Sequence, residues 1–183
     1  MTTTNIKEQA FEWLIEKALL GSTIEERGDG ADVDSQQPAE GQFYWGLPKD
    51  MDPKTAIDRR RLWSFLHATQ QEELDKYVGT QMEKEVEKQI DMDLRTFGLI
   101  HVLKNDICVQ NIKLRLFFPR PSAADAEATK EKYAANQFSV TRQQTYSLIK
   151  SGNEIDMVIF VNGLPLFTLE LKNPWTFQTA AYD

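Results

Sequence analysis

The sequence predicts an α/β fold: a mixed sheet flanked by helices, with a helical insertion. Three observations carry that prediction. A helix-spaced apolar stripe opens the chain, and a stretch dense in Lys, Glu, Gln and Leu fills residues 53–93. Alternating runs rich in β-branched and aromatic residues then lead to an Asn162-Gly163 pair between two apolar segments, the strongest short-range hairpin signal.

The elements follow in chain order. From Ile6 to Leu20, the residues Phe11, Leu14, Ile15, Ala18 and Leu19 recur at the spacing of one buried helical stripe, and Gly21 ends the helix. Glu8, Glu12 and Glu16 run i, i+4 along its edge, where a solvated flank is expected. Residues 22–53 are rich in Gly, Asp, Gln and Pro and read as a long, partly ordered connection. Two or three helices follow, broken near Gly79, with Leu62, Trp63, Phe65, Leu66 and Leu74 packing together. Arg59, Arg60 and Arg61 are expected on a solvated helix face.

Residues 99–118 carry strand character, and residues 119–136 read as a loop with a short helix. Residues 138–148 make a further strand before the hairpin, and a helix begins after Pro174. One domain is therefore expected over residues 1–183. Residues 22–95 supply the connection and helical insertion, and residues 99–183 the sheet, hairpin and start of the following helix.

Composition narrows the function. A formal charge of −7 over 183 residues excludes a surface basic all round, so nucleic-acid affinity would have to come from a local patch or a larger assembly. No apolar run approaches membrane-spanning length and no signal peptide opens the chain, so a cytoplasmic location without membrane contact is expected. Cys108 is the only cysteine, which rules out an internal disulfide or thiolate cluster; its apolar strand suggests a buried, inert thiol. His67 and His101 have no partner at metal-ligand spacing and read as structural or surface residues. Neither GxxxxGK[ST] nor GxGxxG occurs, so ATP and dinucleotides are not bound by those devices.

The hairpin holds the chemistry. Asp156 precedes the turn, and Glu170-Leu171-Lys172 follows it. Alternate strand residues face opposite sides, so register decides whether these groups meet. A two-residue Asn162-Gly163 loop between straight strands would pair Asp156 with Leu169 and separate the acids. A three-residue Val161-Asn162-Gly163 loop with a bulge would pair Asp156 with Thr168 and Val158 with Leu166. That register puts Asp156, Thr168, Glu170 and Lys172 on one face, with the two acids diagonal neighbours roughly 7–8 Å apart. The bulged loop, or an equivalent bulge near Pro165, is therefore expected. Met157, Ile159, Phe167, Leu169 and Leu171 would form the opposite face and need a helix against it.

An Asp…Glu-x-Lys pattern is weak alone, but its surroundings strengthen it. Asp156, the run Phe160-Val161-Asn162-Gly163-Leu164-Pro165 and Glu170-Leu171-Lys172-Asn173 closely resemble the N-terminal nuclease region of the type I restriction endonuclease R (motor) subunit, HsdR. The resemblance extends to residues 136–143, Phe65-Leu66-His67-Ala68-Thr69-Gln70 and Phe11-Glu12, and is weakest over residues 22–53.

That resemblance implies a PD-(D/E)xK restriction-endonuclease-like core. Asp156 and Glu170 would then be catalytic metal ligands and Lys172 the catalytic lysine. Gln178 and Tyr182 fit a Gln-x-x-x-Tyr motif that related nucleases carry on the next helix, one turn apart and able to approach DNA. Glu12 is a candidate third acid, favoured over Glu8 and Glu16, and the Leu171 backbone carbonyl a further metal ligand. Mg²⁺ suits such an oxygen set and keeps several waters.

The expected activity is Mg²⁺-dependent hydrolysis of unmodified foreign duplex DNA, in a restriction complex with methylation (M) and specificity (S) subunits. The full subunit would bind ATP in translocase parts that this chain lacks. Stopping at Asp183 suggests a truncated fragment, with doubtful activity alone. The alternatives are another PD-(D/E)xK repair or junction nuclease, a non-catalytic interaction module of the same fold, and a structural helical protein whose hairpin acids lie apart.

Overall fold

The computed structural model describes residues 3–28, 31–146 and 154–171. The chain opens with α1 (Thr3–Leu20) and a single-turn α2 (Ile24–Arg27). Thr23 and Glu26 close a reciprocal capping box on α2, satisfying two amides that a helix start leaves unpaired. Next come β1 (Tyr44–Trp45), a 3₁₀ turn at Pro48–Asp50, β2 (Met51–Asp52) and β3 (Ile57–Asp58). The insertion contains α3 (Arg59–Leu74), α4 (Met82–Phe97), α5 (Leu99–Lys104), β4 (Asp106–Val109) and β5 (Ile112–Arg115). Then follow α6 (Glu127–Ala134), β6 (Phe138–Thr145), β7 (Glu154–Val161) and β8 (Leu164–Leu169).

The result is a mixed α/β fold compatible with a nuclease-like architecture. Its four-stranded sheet has the order β1-β6-β7-β8, with β1 parallel to β6 and the other neighbours antiparallel. The strand β1 comes from the segment expected to be a partly ordered connection. Two residues carry too little periodicity to announce a strand; β6 supplies its pairing partner.

Residues 99–118 also depart from the strand expectation. Gly98 ends α4 at φ 81°, and Leu99–Lys104 forms a helix that buries Val102, with Leu99 and Leu103 packed on the same core. The strands β4 and β5 form their own hairpin outside the main sheet. Its pleat turns Ile107 and Val109 inward and leaves Cys108 exposed, correcting the expected buried thiol.

The sheet packs on both faces. Val140 and Met157 meet Leu20, with Ile15, Leu19, Ile159 and Leu169 around them, so α1 covers this face. Val158 and Phe160 point the other way, onto Met51. A larger core gathers Leu62, Phe65, Leu66, Val86, Ile90 and Leu114 from the insertion, and Ile57 of β3 and Leu164 at the hairpin tip join it.

The hairpin turn explains that junction. Asn162 and Gly163 are both left-handed (φ 49° and 81°), as a two-residue turn between twisted strands requires. Asn162 is fully buried: its Oδ1 accepts the Gln137 N–H, and its Nδ2 donates to the Leu116 carbonyl and to Asn136 Oδ1. A Cβ on Gly163 would lie 2.4 Å from the Asp58 carbonyl oxygen and 2.6 Å from the Leu62 nitrogen. The turn is therefore seated against the first turn of α3.

Arg59, Arg60 and Arg61 do not form the uniformly solvated face expected of them. Arg59 pairs with Glu83 and Glu87, and Arg60 with Asp34 and Asp50. Arg61 is 5 % exposed and lies over the Tyr44 ring. The local sequence is a basic cluster, but the folded chain supplies a partner for each charge.

Candidate active site

The register of β7 and β8 governs how the two motif acids stand to one another. Val161 pairs with Leu164 and Phe160 with Pro165 across the tight turn, but Ile159 then pairs with Phe167, leaving Leu166 as an extra residue. The expected three-residue loop is thus a two-residue loop, with the equivalent bulge beside Pro165, which cannot donate to the ladder. Beyond the bulge Val158 faces Thr168 and Met157 faces Leu169. The strand β8 ends at Leu169, and one more step along this register would bring Glu170 level with Asp156. The expected pairing of Val158 with Leu166 is corrected by two residues, and Phe167, expected on the covered face, is 60 % exposed.

Asp156 is half-buried, and its Oδ2 accepts the Leu171 N–H at 2.5 Å, which ties the end of β8 to the acid. Glu170 is exposed. Leu171 makes this contact through its backbone N–H. Lys172, Gln178 and Tyr182 lie outside the described residues.

Next to Asp156 the neighbouring strand is irregular. The ladder between β6 and β7 passes from Arg142–Met157 to Gln144–Ile155, and Gln143 between them is left-handed at φ 49°. A non-glycine residue held there is strained by about 1–2 kcal/mol.

The helix α1 contributes buried charge. Glu12 and Glu16 are 8 % and 1 % exposed, whereas Phe11 and Leu14 are 52 % and 67 % exposed. This overturns both the expected apolar stripe, in which Phe11, Leu14 and Ala18 would face inward, and the solvated glutamate flank. The cause is Arg142 on β6, which presents a guanidinium to the underside of α1. Its Nη2 donates to Glu12 Oε2 at 2.6 Å and its Nη1 to Glu16 Oε2 at 3.0 Å. The other Glu16 oxygen pairs with Arg27, which also donates to the Ser22 carbonyl and lies over the Trp45 ring. Two half-buried cations thus balance two buried anions, the condition under which charges tolerate burial.

Glu12 also senses the hairpin. Burial pushes its carboxyl above the usual glutamate range, Arg142 pulls it down, and the negative charges of Asp156 and Glu16 push it up. A cleft of about 580 Å³ is lined by Glu16, Arg27, Trp45, Arg142, Gln143 and Glu154 among others.

The donor set suits a hard cation. Asp156, Glu170 and Glu12 offer carboxylate oxygens only, the donor type a hard cation takes. Among the described residues, no three His, Cys, Asp or Glu side chains are gathered as a complete metal cage. Mg²⁺ asks less, since it keeps several waters and binds through one or two carboxylates. His67 and His101 have other partners: His67 Nδ1 lies 2.7 Å from Gln71 Oε1, and His101 stacks on Phe97.

Sequence reasoning singled out Asp156, Glu170 and Glu12 but gave no role to Arg142, Glu16 or Arg27. A basic residue two places past an apolar Val140 in a sheet strand, on the face that meets a helix, was the available signal.

Comparison with known families matches residues 49–183 to the family described as "Type I restriction enzyme R protein N terminus". The match contains Asp156 and Glu170 and leaves α1 outside it. Searches of curated proteins and of solved structures found no match.

Proposed function

We propose, on the premise that the chain belongs to the type I restriction enzyme R protein N-terminal family, that it is the Mg²⁺-dependent endonuclease part of a restriction complex. Its substrate is unmodified foreign duplex DNA, and it acts in the cytoplasm with methylation and specificity subunits. ATP serves translocase parts of the whole subunit and is not bound by this stretch.

The observation that supports this reading is the bulge at Leu166, which shifts the register by one residue so that its continuation past Met157 and Leu169 would set Glu170 opposite Asp156. Asp156 and Glu170 would hold the cation, with the Leu171 carbonyl as a further oxygen and Glu12 beside them. The bound ion supplies Lewis-acid charge neutralisation at the phosphate and a lowered pKa for the attacking water. The Leu171 N–H holds the Asp156 carboxylate in orientation. Lys172, two residues beyond Glu170, brings an ammonium that stabilises charge developing on the phosphate oxygens. Gln178 and Tyr182 contact DNA. No helix among the described residues is long and apolar enough to cross a membrane.

The test is Mg²⁺-dependent DNA cleavage by the complete restriction assembly carrying Asp156→Ala, Glu170→Ala or Lys172→Ala. Each substitution should lower cleavage roughly 100-fold or more, the scale seen when a group stabilising transition-state charge is removed. Undiminished cleavage would reject the site and favour an interaction module.

A further inference from the structure

We infer that a lysine-lined cleft between α3, β5 and α6, to which no hairpin residue contributes, is a contact surface for the sugar-phosphate backbone of duplex DNA. Duplex DNA as the occupant rests on the nuclease reading; the cleft itself does not.

A chain of net charge −7 has to concentrate whatever attraction it offers a polyanion. The cleft, of about 480 Å³, does so. It is lined by Lys76 just past the end of α3, Lys113 on β5 and Lys132 on α6, against two glutamates, Glu72 and Glu73. The cleft beside α1 has the opposite balance, with Glu16, Glu25 and Glu154 against Arg27 and Arg142.

Two of these lysines keep their charge for a ligand. Lys76 is paired with Glu73, but neither Lys113 nor Lys132 is ion-paired among the described residues, and both are exposed. The Lys132 ammonium lies 5.6 Å from the centroid of the Phe118 ring, which steadies it without cancelling its charge.

The wall that carries the lysines is fixed. The helix α3 leaves helical geometry at Gln70 (φ −145°, ψ 29°), whose side chain takes the place of a strand neighbour to β5. Its Oε1 accepts the Arg115 N–H at 2.7 Å, and its Nε2 donates to the Arg115 carbonyl at 2.8 Å. Further along α3, Glu73 Oε1 accepts the Lys113 N–H at 3.0 Å. The last turn of α3 is thereby stitched along β5, with Lys113 next to the pair that Glu73 makes with Lys76. Lysine ammonium groups are compact point charges that hold phosphates without reading bases. Contact at this cleft is therefore independent of base sequence.

The experiment is fluorescence anisotropy of a labelled duplex titrated with the 183-residue chain over a range of salt concentrations, without divalent metal so that the DNA stays uncut. Wild type is compared with Lys113→Gln/Lys132→Gln and with Lys84→Gln/Lys88→Gln, which removes the same charge from exposed positions on α4. Near-ultraviolet circular dichroism checks that each is folded. Wild type should bind, with an affinity that falls as salt rises and does not change with base sequence. Lys113→Gln/Lys132→Gln should weaken binding roughly 10-fold or more and flatten the slope of log K against log salt by about 2. The α4 pair should bind as wild type does.

Unchanged binding by Lys113→Gln/Lys132→Gln would overturn the inference. An equal loss from the α4 pair would overturn it as well, since net charge alone would then account for both. So would absence of binding by folded wild type. All three outcomes leave the nuclease reading to cleavage by the complete assembly and its Asp156, Glu170 and Lys172 variants. Undiminished cleavage by those variants, together with binding that depends on Lys113 and Lys132, would reject the nuclease site and uphold the surface.

Discussion

Asp58 is 2 % exposed, yet its carboxylate caps α3 by accepting the Arg61 N–H at 3.1 Å. Burial is the largest influence on it and raises its pKa above the ordinary aspartate value of about 3.9, against the opposing pull of the capped N–H and Arg61. The folded chain thus holds this proton more tightly than the unfolded chain. Its contribution is fully present below the unfolded pKa and is lost as pH rises through the folded one. Chemical denaturation across that window should show the stability of wild type relative to Asp58→Asn, which retains a capping oxygen, falling with rising pH; a constant difference would contradict it. Residues of this kind mark the limit of local reading. Glu12 and Glu16 find Arg142 at sequence separations of 130 and 126, so helical spacing alone turned Phe11 and Leu14 inward instead. The hairpin turn was legible because its signal, the Asn162-Gly163 pair, is local.

At the scale of elements, the Asn162-Gly163 turn was read correctly as a turn and incorrectly as part of a three-residue loop. The reason lies outside the hairpin. Asn162 is satisfied by Gln137, Leu116 and Asn136, which favours a compact buried turn, so the irregularity moves to Leu166. Gly163→Ala should cost roughly 2–5 kcal/mol, combining a left-handed alanine with a clash against the backbone of Asp58 and Leu62; urea denaturation measures it. The insertion helices were legible from their composition, and Leu62, Phe65 and Leu66 are fully buried as their spacing implies. By contrast, β1 owes its existence to β6, and α5 to the core it closes.

For the whole molecule, the sheet and the insertion meet at Leu164 and at the Asp58 N–H, which donates to the Gly163 carbonyl at 2.9 Å. They should open together. In native-state hydrogen exchange the amides of Asp58 and Asn162 should exchange only through global unfolding, and more slowly than those of the single-turn α2; exchange at α2-like rates would contradict the coupling. A further consequence follows from Leu166. The sum of paired residue numbers is 325 next to the turn and 326 past the bulge, a change from odd to even. Sidedness along this ribbon therefore obeys a counting rule in steps of two, and the distance between Asp and Glu in the sequence has no meaning until the surplus residue is included. A relative that gained or lost two residues between its acids would keep them facing one another. One that changed by a single residue would need a second irregularity to restore the same facing.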